Sequence, residues 1–208
     1  MGILTEAYVT VPEYKARVTK TITTDDDEIL AQLVAVSRFL DGKLGRSFGQ
    51  DSAVATRTYD GNGRVRLWLD DISTSTGLIV VADLDGDYAF TDETALVLDT
   101  DFWLGPLGAD KASEPSPWQF LEVHPLSTRL SVWPYQRRSV QVTAKFGWPA
   151  VPAAIKEWVV ATTRQLRDLE ESGFTLTLEN IDTGIRMSPQ STHLLRDLER
   201  MYAGLPTL

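Results

Sequence analysis

The sequence predicts an α+β fold, in which a helical bundle carries an inserted antiparallel β domain and a C-terminal arm ending in a short helix. Two stretches, residues 25–44 and 152–171, place apolar side chains at helical spacing along one side. Between them, residues 53–146 alternate apolar and polar side chains with period two, which is typical of strands. A short helix over residues 12–18 precedes the first long helix. The prediction therefore assigns residues 1–50 and 147–172 to the helical bundle, 51–146 to the β domain and 173–208 to the arm and its helix.

The composition is that of a globular protein. The chain has 208 residues, 43% of them hydrophobic and 24% charged, which is enough to bury a core. The net charge of -9 argues against tight nucleic-acid binding unless the cations are gathered on one face. The absence of cysteine excludes disulfides, thiolate metal sites and cysteine nucleophiles, and no cofactor is expected. With no apolar run of membrane-spanning length and no signal-peptide pattern, we expect synthesis in a cytoplasm and no membrane partner.

The first long helix has a one-sided stripe and recognisable ends. The stripe consists of Ile29, Leu33, Val36, Leu40 and Leu44. Thr23 and Thr24 precede four acidic residues, which favours a helix start, because oxygen acceptors cap free N–H groups and negative charge faces the positive end of the helix dipole. Gly45 predicts the helix end as a left-handed cap.

The middle of the chain predicts short strands. The candidates lie at residues 65–69, 78–81, 95–98, 118–123 and 139–146. Residues 60–63, with two glycines and an asparagine, are expected to turn between the first two strands. Residues 105–117 are expected to form a loop.

The C-terminal part predicts a second long helix, an extended arm and a last helix. Pro152 opens the second long helix, and Gly173 ends it. Residues 174–187 are expected to be extended. The last helix, from Ser188, carries Leu194, Leu198, Met201 and Tyr202 on one side. Because this helix is short and ends an arm, we expect it to find little of its own chain to pack against.

Ser47 lies in a Gly-x-Ser-x-Gly pattern that resembles the nucleophile elbow of hydrolases. That elbow must follow a strand and open a helix, whereas this one follows a helix and leads into strands. A Ser hydrolase is therefore the weakest alternative, and a helix-stop turn is the simpler interpretation. His124 and His193 are the two histidines, and without cysteine we expect packing or surface roles for them and no metal.

An acidic stretch over residues 83–110 contains no Lys or Arg. Its carboxylates belong to Asp83, Asp85, Asp87, Asp92, Glu93, Asp99, Asp101 and Asp110. They fit either a solvated surface or a wall that repels a polyanion and lets it slide. The first three do not form an EF-hand, because its sixth and twelfth positions are Tyr88 and Thr94 here. A hairpin turn at Asp85 and Gly86 is expected instead.

The six tryptophans leave a carbohydrate-binding or surface-binding β module open as an alternative. Trp148 and Trp158 are expected in the core, since one lies at a strand-to-helix junction and the other on an apolar helix stripe. Trp68 falls on the opposite face of its strand from Val65, Leu67 and Leu69. It is either covered by a neighbouring chain or stacked on Arg64 and Arg66.

Several segments match, in order, the pattern of a known family. Residues 23–48 run from an Asp-rich helix start to Gly-Arg-Ser-Phe, and residues 59–63, 71–72 and 87–88 match the pattern of its strand region. The junction to the second helix is formed by Phe146, Gly147, Trp148, Pro149 and Pro152. Over most of residues 12–170, this order resembles the head-tail connector (adaptor, or head completion) proteins of long-tailed bacteriophages. A larger strand insert and a longer C-terminal arm depart from the minimal pattern.

The resemblance implies a structural protein without enzymatic activity. Such a protein forms a ring of twelve copies under the portal, extends the DNA channel, and joins the portal protein to the stopper (head-closure) or tail protein. Its place is the virion neck, after assembly in the host cytoplasm, and phage DNA passes through it without specific binding.

The resemblance also suggests roles for particular residues. The C-terminal portal-binding set is Arg186, Leu194, Leu195, Arg196, Leu198, Arg200, Met201 and Tyr202. The ring or partner interface is Trp68 with Arg64 and Arg66. The candidates for an acidic channel lining are Asp83, Asp85, Asp87, Asp92, Glu93, Asp99 and Asp101.

Overall fold

The computed structural model describes residues 7–18, 25–111, 113–171 and 189–202, and within them the chain is α+β. The chain divides into a helical unit, Met1–Phe48 with Val151–Thr207, and a β unit, Gly49–Ala150. The expected arm with Arg186 and the expected cap residues Thr23 and Thr24 lie outside the described residues. In the described part, no helix is long and apolar enough to cross a bilayer.

Four helices are described in the helical unit: α1 (Val11–Val18), α2 (Asp26–Leu44), α3 (Ala153–Glu171) and α4 (Pro189–Tyr202). The predicted stripe of α2 is buried, and the helix ends as predicted at Gly45, whose φ is 63°. Phe39 of α2 stacks in parallel on Trp158 of α3, with the ring centroids 6.4 Å apart. At the start of α2, the Asp25 carboxylate makes no cap bond and instead accepts from Arg167 of α3 at 3.2 Å.

A capping box begins α1. The Thr10 N–H donates to the Glu13 carboxylate at 2.9 Å, and the Glu13 N–H donates back to the Thr10 hydroxyl at 3.3 Å. The Glu13 carboxylate also accepts from Lys156 of α3 at 3.1 Å. The Thr10 N–H, followed by Lys156, lowers the pKa of Glu13 to about 2. In the sequence, the Thr-x-x-Glu spacing of Thr10 and Glu13 indicates this helix start. The prediction that the helix begins at Pro12 did not use it.

The last helix packs on its own chain, so the expectation that it lacks an intrachain partner is wrong. Leu198 is fully buried. The Tyr202 ring meets Phe48 edge-on, with the ring centroids 5.0 Å apart. The physical reason is that Phe48, just beyond the end of α2, provides an aromatic surface for α4.

Five strands form one antiparallel sheet in the order β1-β5-β2-β4-β3. They are β1 (Ala55–Tyr59), β2 (Arg66–Ala82), β3 (Phe102–Gly105), β4 (Trp118–Val123) and β5 (Val140–Phe146). β2 is a single strand of 17 residues where two separate strands were predicted. Its first part pairs with β4 and its second part with β5.

Three local predictions for the sheet need correction. β1 and β2 are not neighbours, because β5 lies between them, so residues 60–63 do not close a hairpin. The predicted strand at 95–98 forms only isolated bridges, from Leu96 to Val80 and from Leu98 to Phe102. β3 was not predicted, because four residues are too few to show alternation.

The junction after β5 depends on a glycine and a tryptophan. Gly147 has a φ of 102°, and a Cβ there would lie 2.1 Å from the Gly49 carbonyl oxygen, so only glycine fits. Trp148 is buried, as predicted, and its indole N–H donates to the Asp71 carboxylate at 3.1 Å. Pro152 then precedes α3.

We expect Trp148→Ala to destabilise the protein by about 3–5 kcal/mol, because it empties a buried aromatic site. Trp148→Phe keeps most of the packing and removes the bond to Asp71, so it should cost about 1–3 kcal/mol. Urea unfolding of the three chains measures both losses. An alanine variant as stable as the parent would contradict this account of the junction.

The stability contribution of Glu13 depends on pH. Since the pKa of Glu13 falls from an ordinary 4.5 to about 2, its contribution is present above about pH 4.5 and is lost as the pH falls toward 2. Glu13→Gln keeps an oxygen that accepts the Thr10 N–H but removes the charge that faces this N–H and Lys156, so it should cost about 1 kcal/mol at pH 7, and the cost should vanish near pH 2. Thermal unfolding across this pH range measures it. Glu157→Gln, which removes only the exposed pair with Arg17, is the control and should change little.

Candidate functional site

The solvent-facing side of β2 and β4 carries the predicted interface residue Trp68. This side chain is 36% exposed, and its ring meets Phe120 edge-on, with the centroids 5.0 Å apart. The Arg66 guanidinium lies 4.2 Å from the centroid of the same Phe120 ring and donates to Glu122 at 2.6 and 3.0 Å. The stacking partner of Trp68 is therefore Phe120 on the neighbouring strand, and not Arg64 or Arg66.

An open groove of about 360 Å³ adjoins Trp68, and we name it the Trp68 groove. It is lined by Asn62, Arg64, Val65, Arg66, Trp68 and Glu122. The prediction that Val65 lies on the face opposite Trp68 is therefore wrong: Val65 precedes the first residue of β2, so strand alternation does not apply to it, and it is 47% exposed. The structure thus brings together the three residues predicted as a ring or partner interface. The Asn62 side chain holds the rim, since it accepts the Arg64 N–H at 3.0 Å and donates to the Arg66 carbonyl at 2.9 Å. The Arg64 side chain is exposed and forms no ion pair with the described residues.

A second aromatic pair extends this face onto β3. Trp103 is 38% exposed, and its ring meets His124 edge-on at 4.4 Å between centroids. His124 Nδ1 accepts the Leu126 N–H at 3.1 Å, so His124 has a packing role. Trp103 pairs in register with Glu122. Phe120, Glu122 and Trp103 were missed as surface residues, although the alternation along β4 already placed Phe120 and Glu122 on one face.

Asp83 does not belong to an acidic surface, which corrects its assignment to a channel lining. It is 1% exposed, and its carboxylate accepts the Gly86 N–H at 2.7 Å, the Tyr88 N–H at 3.0 Å and the Gln136 amide at 3.1 Å. Residues 83–88 therefore form a loop around a buried carboxylate instead of a tight hairpin turn. Carboxylate oxygens of Asp83, Asp85 and Asp87 lie within 4.8 Å of one another, but those of Asp83 are already engaged.

Asp101 needs the same correction. It is 3% exposed, and it accepts the Val97 N–H and the Ser127 hydroxyl, each at 2.9 Å, with Arg129 at 3.6 Å. Burial alone would raise the pKa of Asp101, but these hydrogen bonds and the Arg129 charge together hold it below its ordinary value. Buried acids of this kind stabilise loops, and Asp83 and Asp101 are therefore not accessible carboxylates.

The other acidic candidates remain accessible. Asp85, Asp87, Asp92 and Asp99 are exposed, and Glu93 is half-buried and accepts the Leu84 N–H at 2.7 Å. The Asp87 N–H lowers the pKa of Asp85, but desolvation and repulsion from Asp87 and Asp92 outweigh it and raise that pKa. Negative charge is thus crowded at this loop.

The predicted portal-binding residues on α4 divide by exposure. Arg196, Arg200 and Met201 are exposed, whereas Leu198 is buried inside the helical unit. Leu194, Leu195 and Tyr202 are half-buried. Among these α4 residues, only Arg196, Arg200 and Met201 have side chains that are exposed for contact with a partner.

The hydrolase-like motif has no elbow geometry. Ser47 follows the left-handed cap of α2 instead of a strand, and its Oγ lies 3.3 Å from the Tyr8 hydroxyl. His193 is exposed on α4.

Comparisons with known proteins bear on the fold. No protein-family model and no curated protein matches the chain. A solved structure does: a chain in the neck of an empty GTA particle, computed with C6 symmetry, is 15% identical. It superposes with a TM-score of 0.50 over 91% of this chain and 88% of that one. At this identity, the match shows a shared fold across nearly the whole chain.

We expect Asp101→Asn to lower the free energy of unfolding by about 2 kcal/mol at pH 7, because a buried acceptor of three donors loses its charge. Since the pKa of Asp101 is lowered, this difference should shrink as the pH falls below the ordinary value of 3.8. Asp99→Asn is the control. Asp99 is exposed with a φ of 63°, which asparagine also tolerates, so its loss should change stability little. Equal effects in urea unfolding would contradict the structural role of Asp101.

Proposed function

We propose that the chain is a structural head-to-tail adaptor of a tailed phage, which forms a ring under the portal and extends the DNA channel. The observation that carries the proposal is the fold shared with a chain from the neck of a GTA particle, a phage-like gene transfer agent. The likeness covers 91% of the chain, so it is not confined to one small module. The order of motifs along the sequence supports the same function independently.

The proposed ring has twelve copies. The C6 symmetry used for the neighbour's particle supports a ring, and twelve is compatible with it as a multiple of six. A ring built from one chain needs two different surfaces per copy, each facing the other on the next copy. The Trp68 groove, with an exposed aromatic side chain and arginines, has the composition expected of one such surface.

The adaptor would join the portal protein on one side to the stopper or tail protein on the other. The exposed residues Arg196, Arg200 and Met201 of α4 are the proposed portal contacts. Exposed carboxylates such as Asp92 and Asp99 would repel DNA phosphates and let DNA pass without adhering. The proposed location is the virion neck, after assembly in the host cytoplasm, and the role is not enzymatic.

Light-scattering mass of the purified chain, alone and mixed with its cognate portal protein, tests this function. We expect a complex of defined stoichiometry only when portal is present. The combined variant Arg196→Glu, Arg200→Glu and Met201→Ala should weaken portal binding at least about tenfold, since exposed residues can change without loss of the fold.

Arg164→Glu, a charge reversal at an exposed residue of α3, is the control and should bind portal normally. A parent chain that stays separate from portal would overturn the adaptor proposal. A triple variant that binds as the parent does would remove only the assignment of α4 as the docking helix.

A further inference from the structure

The loop after β2 displays a tyrosine from an ordered backbone. Tyr88 is 66% exposed, and its φ of 65° is rare for an aromatic residue. The buried Asp83 carboxylate holds the loop through the Gly86 and Tyr88 N–H groups, and Gln136 holds Asp83 in turn. Since the loop is already ordered, it loses little further conformational entropy when a partner binds Tyr88.

The residues around Tyr88 are negative. Asp85 and Asp87 precede it in the segment 84–88, which we name the Tyr88 loop, and both are exposed. Their carboxylates accept N–H groups of their own loop, from Asp87 at 3.2 Å and from Ala89 at 2.7 Å. Neither forms an ion pair with a cation among the described residues.

The Trp68 groove is complementary to this loop in charge and chemistry. Its walls include the exposed side chains of Trp68 and Val65, and its rim carries Arg64 and Arg66. Arg64 has no ion pair with the described residues, and Arg66 is only partly neutralised by the exposed pair with Glu122. A loop that carries an exposed aromatic side chain next to two carboxylates therefore fits a groove lined by an aromatic ring and two guanidinium groups.

We propose that the Tyr88 loop of one copy occupies the Trp68 groove of the next copy in the ring. Tyr88 packs against Trp68 and Val65, while Asp85 and Asp87 face Arg64 and Arg66. The contact is heterologous, because each copy gives one loop and receives another, and repeated contacts of this kind form a ring when the rotation between neighbouring copies closes. This inference rests on the proposed ring and names the surfaces that build it.

DNA is the less suitable occupant of the groove. Glu122 lies in its wall, and the chain as a whole carries a net charge of -9. The Glu122 carboxylate and the net negative charge would both repel a polyanion such as DNA. The two carboxylates beside Tyr88, in contrast, match the two arginines of the groove in number and charge.

Crosslinking tests the contact without reaction at native thiols of this chain, because the chain contains no cysteine. One variant carries only Leu84→Cys, which is 43% exposed in the Tyr88 loop and leaves Tyr88 in place, and a second, differing in tag length, carries only Val65→Cys. The two are mixed, assembled on portal protein and treated with a short bis-maleimide. We expect covalent pairs that contain one chain of each variant, and few pairs of like chains. Leu126→Cys in place of Leu84→Cys is the control, since Leu126 is 82% exposed and lies outside the groove.

The outcomes separate this inference from the proposed function. A complex with portal that yields no mixed pairs would overturn the loop-in-groove contact and leave the adaptor function standing. Absence of any complex with portal would overturn both.

A second measurement uses Tyr88→Ala, which removes an exposed side chain and should not disturb folding. Assembly on portal should then require at least about tenfold more protein, as expected for an interface anchor, while Leu126→Ala assembles as the parent does. If Tyr88→Ala assembles normally, and a short DNA duplex binds the parent but not Arg64→Glu, the groove serves nucleic acid and the proposal is wrong.

Discussion

The break in the register of β2 around Ile72 is the constraint on which the β unit depends. Ile72 pairs with Trp118 of β4 and with Phe146 of β5, so one residue of β2 belongs to both halves of the sheet. The Asp71 carbonyl accepts the Gly147 N–H at 2.7 Å, and its carboxylate accepts the Trp148 indole at 3.1 Å. These hydrogen bonds of Asp71 pair polar groups at the point where the regular ladder is interrupted.

The sheet has two unlike faces. On the inner face, Leu67, Leu69 and Val142 are buried in a hydrophobic cluster of aliphatic and aromatic side chains. On the outer face, Phe120 of β4 lies between Trp68 and the backbone of β3, where a Cβ on Gly105 would be 1.9 Å from the ring. Glycine on β3 thus lets the Phe120 ring lie flat over the edge strand. The groove and its aromatic wall follow from this packing.

The sequence predicts the parts of the fold that depend on local spacing. The stripe of α2, its end at Gly45 and the burial of Trp148 all follow from periodicity and chain order. The polar residues of segment 73–77 hid the continuity of β2, because a bulged strand interrupts the period-two pattern. The docking of α4 depends on Phe48, about 150 residues earlier, and such a contact leaves no local signal. For the site, alternation brought Arg64, Arg66 and Trp68 together, but composition could not separate buried acids from exposed ones.

Part of the acidity of the chain therefore serves to order loops through buried carboxylates. Long connections in the β unit cannot pair their N–H groups in a ladder, and buried N–H groups need acceptors. Asp83 and Asp101 supply them: each carboxylate accepts backbone N–H groups of its own loop and a side chain from another. These buried carboxylates add to the net negative charge of the chain but not to the charge of its surface. What remains at the surface is concentrated at a few loops such as residues 85–92, so the local distribution of charge, together with the net charge of -9, decides what the protein attracts.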